Sequence, residues 1–282
     1  DAATLPLDPA AWRAALPAPR SCAVVGNSGV LRLGLMGAAV DSHDLVVRLN
    51  QAPASGPYAP FTGTRAHLRV LNHLWTQNYA FRGAQDGWPA EPGVVLAMTR
   101  ASPHMYAKLR AAQPGARVLV VSSRVVGAAR RLLVDYRTRL CQAGWGPYGG
   151  GSTPTTGLVA AYLAVHMCER VALYGFGRVR SARVQQSAVP YHYFSGKGSR
   201  QKPTPVHSFG AEELVLSALA AESPGNLTMC VPVEAEPGRE AEATWHNLMA
   251  GYNPYVQLRY EQLPAPLRAP ALRAAVEAKV RR

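Results

Sequence analysis

Short apolar runs recur along the chain, separated by segments with helical period. Residues 23–25 form the first run, which ends in Gly26-Asn27-Ser28-Gly29. Residues 45–49, 68–71, 94–98, 118–122 and 171–174 form the others, each of a length suited to a buried strand. Between them, residues 30–40, 103–113, 124–141 and 156–168 read as helices. In the third of these, apolar residues fall at 125, 129, 132, 133, 136 and 140, with Arg130, Arg137 and Arg139 largely off the stripe. Near the start, Asp8-Pro9 before Ala10-Ala11-Trp12 places an N-cap ahead of a proline at the first helical position, which predicts one more short helix. Strands alternating with helices predict an α/β fold: an αβα sandwich on a mostly parallel, Rossmann-like sheet. Ligands of such sheets bind beyond the carboxyl ends of the strands.

The pattern weakens elsewhere. Residues 144–151 are Gly-rich, and residues 178–206 are rich in Arg, Lys, Ser and Gly without periodicity, which reads as a loop over the site. Residues 234–242 read as an acidic loop and 269–282 as a basic helix. No internal repeat is present. With 48% hydrophobic residues in 282, the chain has ample material for a core and disorder is excluded as its general state. Thirty Lys and Arg against seventeen Asp and Glu leave +13, a surface that favours nucleic acid, an acidic membrane or a phosphorylated or carboxylated small substrate. Clustered basic–aromatic stripes are missing, which argues against nucleic acid. No apolar run is long enough to span a bilayer; the best, residues 158–165, suits a buried helix. The chain starts at Asp1, which fits a processed protein from which a signal or anchor has been removed.

The candidate chemistry lies at the strand ends. Gly26-Asn27-Ser28-Gly29 follows a strand and opens a helix, where free N–H groups and the absent Cβ suit a phosphate. It is not G-x-G-x-x-G, and the second strand ends in Asn50 rather than the acid that holds a dinucleotide ribose, so a nicotinamide enzyme is disfavoured. Asn27 and Asn50 would lie side by side if their strands are neighbours, as two neutral amides facing one phosphate. Asp41 and Asp44 read as turn or cap residues, and Arg48 as half of a buried ion pair with one of them. None of the six Asp residues forms Asp-x-Asp, the pattern that holds a divalent ion against a diphosphate. The four cysteines, 22, 141, 168 and 230, form no C-x-x-C, which excludes a zinc ribbon or redox motif. Asn226-Leu227-Thr228 is an N-glycosylation sequon, with Asn226 the acceptor.

Residues 21–53, with Cys22, Gly26-Asn27-Ser28-Gly29, Asp41-Ser42-His43-Asp44 and Arg48-Leu49-Asn50-Gln51-Ala52-Pro53, resemble the long donor-binding motif of eukaryotic sialyltransferases, glycosyltransferase family 29. The family's second motif is similar to Pro154-Thr155-Thr156-Gly157, His166-Met167-Cys168 and Tyr174-Gly175-Phe176-Gly177. Its third is similar to His192-Tyr193-Phe194, and its fourth, a His five residues before a Glu, to His207 and Glu212. Four motifs in order make a specific signal. The chain departs from the family in carrying Ser195 where the third motif often has an acid, and in running seventy residues past Glu212.

The resemblance implies a GT-A-like variant fold, a CMP-activated sugar donor, inversion at the anomeric carbon and no metal or other cofactor. It implies His207 as base and His192 as donor to the leaving phosphate. A hydroxyl nucleophile needs a base, and an imidazole with an unperturbed pKa of about 6.5 can serve near neutral pH. Donor-binding residues would be Asn27, Ser28, Asn50, Thr155, Thr156, Gly157, Gly175, Phe176 and Tyr193. Glu212 would begin or cap the last helix. Cys22 and Cys168 match a pair that is disulfide-bonded in the family, and Cys141 with Cys230 is a possible second pair. His166 and the five remaining histidines keep structural readings. The expected domains are an end of stem with a short helix at 1–20, a catalytic core at 21–212 and an extension at 213–282 packed on the same domain. The expected protein is a Golgi-lumenal, type II membrane glycoprotein, anchored by a segment absent from this chain. Its partners would be a CMP-activated sugar acid, sialic acid by default, and a galactose-type glycan acceptor on glycoprotein, glycolipid or polysaccharide. Kdo transfer from CMP-Kdo to a plant or algal wall polysaccharide, and an inactive glycan-binding homologue, are the alternatives.

Overall fold

The computed structural model describes residues 9–16, 18–81, 89–177, 189–195, 205–223 and 225–230. Asp8, most of the 178–206 loop and the elements expected at 234–242 and 269–282 lie outside these residues. Seven strands form one sheet: β1 (Ser21–Val25), β2 (Leu45–Leu49), β3 (Leu68–Leu71), β4 (Val95–Met98), β5 (Arg117–Val120), β6 (Arg170–Tyr174) and β7 (Leu227–Cys230). Their order is β5-β4-β3-β2-β1-β6-β7, and every adjacent pair is parallel. Such strands are covered on both faces, which is why they read as near-continuous apolar runs.

The helices are α1 (Pro9–Ala15), α2 (Gly37–Asp41), α3 (Ala59–Thr62), α4 (His73–Phe81), α5 (Pro103–Ala112), α6 (Ser123–Gln142), α7 (Thr156–Met167) and α8 (Phe209–Glu222). Strand alternation divides the core. Cys22 and Val24 of β1 pack with Leu132 and Tyr136 of α6, Leu158 and Ala161 of α7, and Val215 of α8. Ala23 and Val25 face the other way, onto Val40 of α2 and Tyr193. Leu71 and Leu96 meet Trp75 of α4 and Leu109 of α5 on that same second face. The result is the expected three-layer sandwich.

Three local expectations change. The helix expected over 30–40 is a 3-10 turn, Gly29–Leu33, followed by the short α2. Gly34, in extended geometry, ends the turn, and Leu35 between the two pieces is 67% exposed. Helix α4 was not anticipated, although Asn72 signals it: its Oδ1 accepts from Trp75 N at 2.9 Å, an N-cap bond directly after β3. Strand β7 was also not anticipated. Residue 212 lies inside α8, so the layered core continues past the expected boundary, through α8 to β7.

Candidate active site

After β1 the chain fills one side of the sheet as far as β5, then returns to place β6 against the other side of β1. The crevice at such a switch point is where α/β sheets bind ligands. It forms here between Gly26 and Gly175. Gly26 N donates to Tyr174 O at 2.7 Å, and a Cβ on Gly26 would fall 2.7 Å from Gly175 O. Gly175 has φ +74, and a Cβ there would fall 2.7 Å from Leu31. Both positions therefore need glycine.

The third motif closes over the first. Gly29 N donates to Pro190 O at 3.1 Å and Tyr193 N to Asn27 O at 2.9 Å. Ser28 Oγ accepts from Val30 N at 3.3 Å, capping the 3-10 turn. Asn27 Oδ1 is buried without a hydrogen-bond partner. Asn50, at the end of the neighbouring β2, is in the left-handed region with φ 53. Its Oδ1 accepts from Asn72 N at 3.0 Å, which leaves Nδ2 as the side-chain donor. Arg69 holds this turn by donating to the carbonyls of Asn50 at 2.9 Å and Ala52 at 3.0 Å, and it pairs with Glu91. Tyr193 lies beneath the site: its side chain is wholly buried, and its hydroxyl donates to Pro53 O at 2.6 Å. Burial pushes that phenol up to about 12.

His207 is set by the second motif. Its Nδ1 lies 2.8 Å from Thr153 O, a pure acceptor, so Nδ1 carries a proton and the lone pair of the neutral ring falls on Nε2. Gly151 N donates to Pro205 O at 2.9 Å, and Ser208 Oγ to Gly149 O at 2.8 Å. Glu212, in the first turn of α8, reaches Thr155, the N-cap of α7. Thr155 N donates to one carboxylate oxygen at 2.8 Å and Thr155 Oγ1 to the other at 2.5 Å. Thr156 and Gly157 form the first turn of α7, where a Cβ on Gly157 would fall 3.0 Å from the Phe176 ring. Thus Gly157 and Phe176, both expected at the donor site, are in contact.

A line of rings joins the two catalytic candidates. His207 meets Phe209 at 5.8 Å, Phe209 meets Tyr191 at 6.0 Å, and Tyr191 stacks on His192 at 4.6 Å. Phe194 stacks on His192 from its other side at 4.9 Å. The residues that sequence reasoning missed are those that fix this frame: Thr153, Arg69, Asn72 and Arg137. Arg137 gave one signal, as a charged residue off the apolar stripe of α6.

Cys22 and Cys168 are disulfide-bonded, with Cα atoms 6.1 Å apart. The possible second pair is wrong: Cys141 and Cys230 are free thiols. Cys141 lies exposed on the last turn of α6, which covers one sheet face, whereas Cys230 points into the core on the opposite face. Arg48 is buried as expected but bonds backbone rather than an acid, donating to Thr62 O and Arg65 O at 2.8 Å each. Asp41 instead accepts from Thr64 and Arg65 amides, and Asp44 from those of Arg20 and Ser21. His166, read as a structural core or near-core residue, is exposed on the last turn of α7, against Tyr162 at 4.6 Å. Asn226 is exposed in the turn before β7. Among the described residues no group of three or more His, Cys, Asp or Glu could hold a metal ion, and no helix is long and apolar enough to cross a membrane. A cavity of about 500 Å³, lined by Leu16, Arg20, Asp44, His67 and Val95, opens at the amino ends of the strands, at the opposite edge of the sheet from Asn27 and Asn50.

A model of glycosyltransferase family 29 (sialyltransferase) matches residues 9–223. The chain belongs to this family. Its class is therefore that of a sialyltransferase-like glycosyltransferase. It is 30% identical over 226 residues to the human alpha-N-acetyl-neuraminyl-2,3-beta-galactosyl-1,3-N-acetyl-galactosaminide alpha-2,6-sialyltransferase, covering 73% of this chain and 72% of that one. It is also 30% identical to the human CMP-N-acetylneuraminate-beta-galactosamide-alpha-2,3-sialyltransferase 1, over 72% of this chain and 56% of that one. Sialyltransferase-like protein 2 of Oryza sativa subsp. indica is 30% identical, over 68% of this chain and 51% of the relative. A crystal structure of a mammalian sialyltransferase matches with TM-score 0.51 at 21% identity, covering 76% of this chain and 70% of that chain, which shows a shared fold.

Proposed function

We propose that this family 29 member transfers a 2-keto sugar acid, sialic acid by default, from its CMP-activated form to a hydroxyl of a galactose-type glycan acceptor, with inversion and without metal. One observation carries the reading: the four motifs meet at one switch point, with His207 and His192 linked through Phe209 and Tyr191. His207 Nε2 takes the acceptor hydroxyl's proton as its oxygen bonds the anomeric carbon from the face opposite the phosphate. The bond from that carbon to the phosphate oxygen breaks, and CMP leaves. His192 donates to the developing phosphate charge, and the amides of Asn27 and Asn50 and the N-terminus of α7 hold the nucleotide. Gly26, Gly175 and Phe176 shape the floor of its pocket. A monophosphate leaving group and the missing Asp-x-Asp support the metal-free route.

CMP-Kdo is the second donor to try, since human and rice relatives are equally similar at 30%. The free Nε2 of an oriented His207 speaks against an inactive glycan-binding homologue. The disulfide and the exposed sequon at Asn226 support a location in the Golgi lumen, since such bonds persist in oxidising compartments.

Nucleotide binding tests this reading. CMP should raise the melting temperature in the presence of EDTA, by linkage to the native state, while UDP and GDP should not. His207→Ala should bind CMP nearly as well as the parent, and His192→Ala should bind it weakly, because the phosphate stays on the product. Equal stabilisation by UDP or GDP would refute the pocket assignment.

A further inference from the structure

The loop between α6 and α7 cannot hold its own shape. Residues 144–151 contain five glycines, and Gly144, Gly146 and Gly150 have φ values of +80, +110 and +96. Glycine has the greatest backbone freedom to lose, and no side chain with which to pack. Yet this loop is the surface on which His207 rests. A Cβ on Gly150 would fall 2.0 Å from His207 O. Gly151 N bonds Pro205 O, Thr153 N approaches Val206 O at 3.4 Å, and Thr153 O accepts a hydrogen bond from His207 Nδ1. An outside constraint must fix the loop.

Helix α6 supplies it. Arg137, half-buried and five residues before the helix ends at Gln142, donates from Nη1 to Gly150 O at 3.0 Å and to Gly151 O at 2.9 Å. From Nη2 it donates to Ser152 Oγ at 3.0 Å. Three oxygens on three consecutive residues meet one planar fork, a geometry that lysine cannot reproduce. The backbone bond from Gly151 to Pro205 and the Nδ1 bond from His207 to Thr153 pass this constraint to the imidazole. Glu212 secures the loop's other end at Thr155 from α8.

Resting on the reading of His207 as base, we propose that Arg137 is its positioning residue: it clamps the glycine loop whose Thr153 carbonyl sets the tautomer and aim of the imidazole. Arg137 touches neither substrate in this arrangement and acts only through His207. Misplacing a catalytic group by about 1 Å can cost about 10²-fold. Arg137→Met should therefore lower kcat for transfer by about 10- to 100-fold, with CMP affinity and acceptor KM changed less than about threefold. Arg137→Lys should recover part of that loss. In the His207→Ala background, Arg137→Met should cost less than about twofold further, since groups acting as a unit are non-additive. Amide hydrogen exchange should quicken at residues 149–153 and 206–208 in Arg137→Met while β1 and β6 keep their protection.

Equal losses from Arg137→Met in both backgrounds, or an undiminished kcat, would overturn the proposal. A parent chain that transfers neither sugar acid would overturn the activity reading instead. The clamp would then be decided by exchange alone: faster exchange at 149–153 and 206–208 supports it, and unchanged exchange refutes it.

Discussion

Glu212, which is buried, and Asp41, which is only partly so, are carboxylates that their surroundings drive in opposite directions. Burial pushes Glu212 up to about 7, against the pull of its two bonds from Thr155. Burial also works on Asp41, but amide bonds from Arg65 and Thr64 and the Thr64 hydroxyl outweigh it and hold that carboxyl below its ordinary value. The consequences for stability have opposite signs. Glu212 binds its proton more tightly folded than unfolded, so its contribution is complete below pH 4.5 and is lost as pH rises through about 7. At full ionisation the loss is on the order of 3 kcal/mol. Asp41 stabilises above its unfolded value of 3.8, and this is lost as pH falls. Glu212→Gln should therefore flatten the decline in melting temperature between pH 5 and 8 and leave the acid limb in place. A decline of unchanged slope in that variant would show that Glu212 is not its source.

At the scale of elements, the glycine loop and α8 form one unit with His207, the proposed base. Gly150→Ala places a methyl group against His207 O in a backbone geometry that alanine resists, so the loop or His207 must move. Transfer activity should drop at least about tenfold, while Gly149→Ala, with nothing within 4 Å of its Cβ, should leave it within about twofold. Equal activities would mean that the loop does not bear on the base. Most strands were legible in the sequence because strands covered on both faces must be apolar throughout, as residues 45–49 and 171–174 are. The stretch 30–40 misled because its apolar residues keep helical spacing while Gly34 and Gly37 break the backbone. Helix α4 hid its Asn72 cap among polar residues, and Leu227-Thr228-Met229-Cys230 was too short and mixed to stand out. The histidines were legible through motif spacing. Their supports were not: Thr153 lies 54 residues from His207, and Arg137 lies on another helix, so only the fold joins them.

At the scale of the whole molecule, one covalent bond joins the first strand to the far half of the chain. Cys22 in β1 and Cys168 at the end of α7 are 146 residues apart. A disulfide typically contributes about 2–4 kcal/mol. Reduction should therefore lower the melting temperature by roughly 5–10 °C. Thiol labelling should find one reactive cysteine in the native chain, Cys141, a second after denaturation, Cys230, and all four only after reduction. Two more free thiols before reduction would remove the bond. The +13 net charge favours the approach of the anionic donor proposed above. The proposed transfer is tested most directly by measuring CMP release with EDTA present, from CMP-sialic acid and CMP-Kdo in parallel, with a galactose-terminated acceptor and His207→Ala alongside. The expected result is acceptor-dependent release from one donor, a glycan lengthened by one sugar acid, and a kcat about 10²–10⁴-fold lower in His207→Ala. Release from neither donor, release that needs a divalent ion, or a fully active His207→Ala would contradict it.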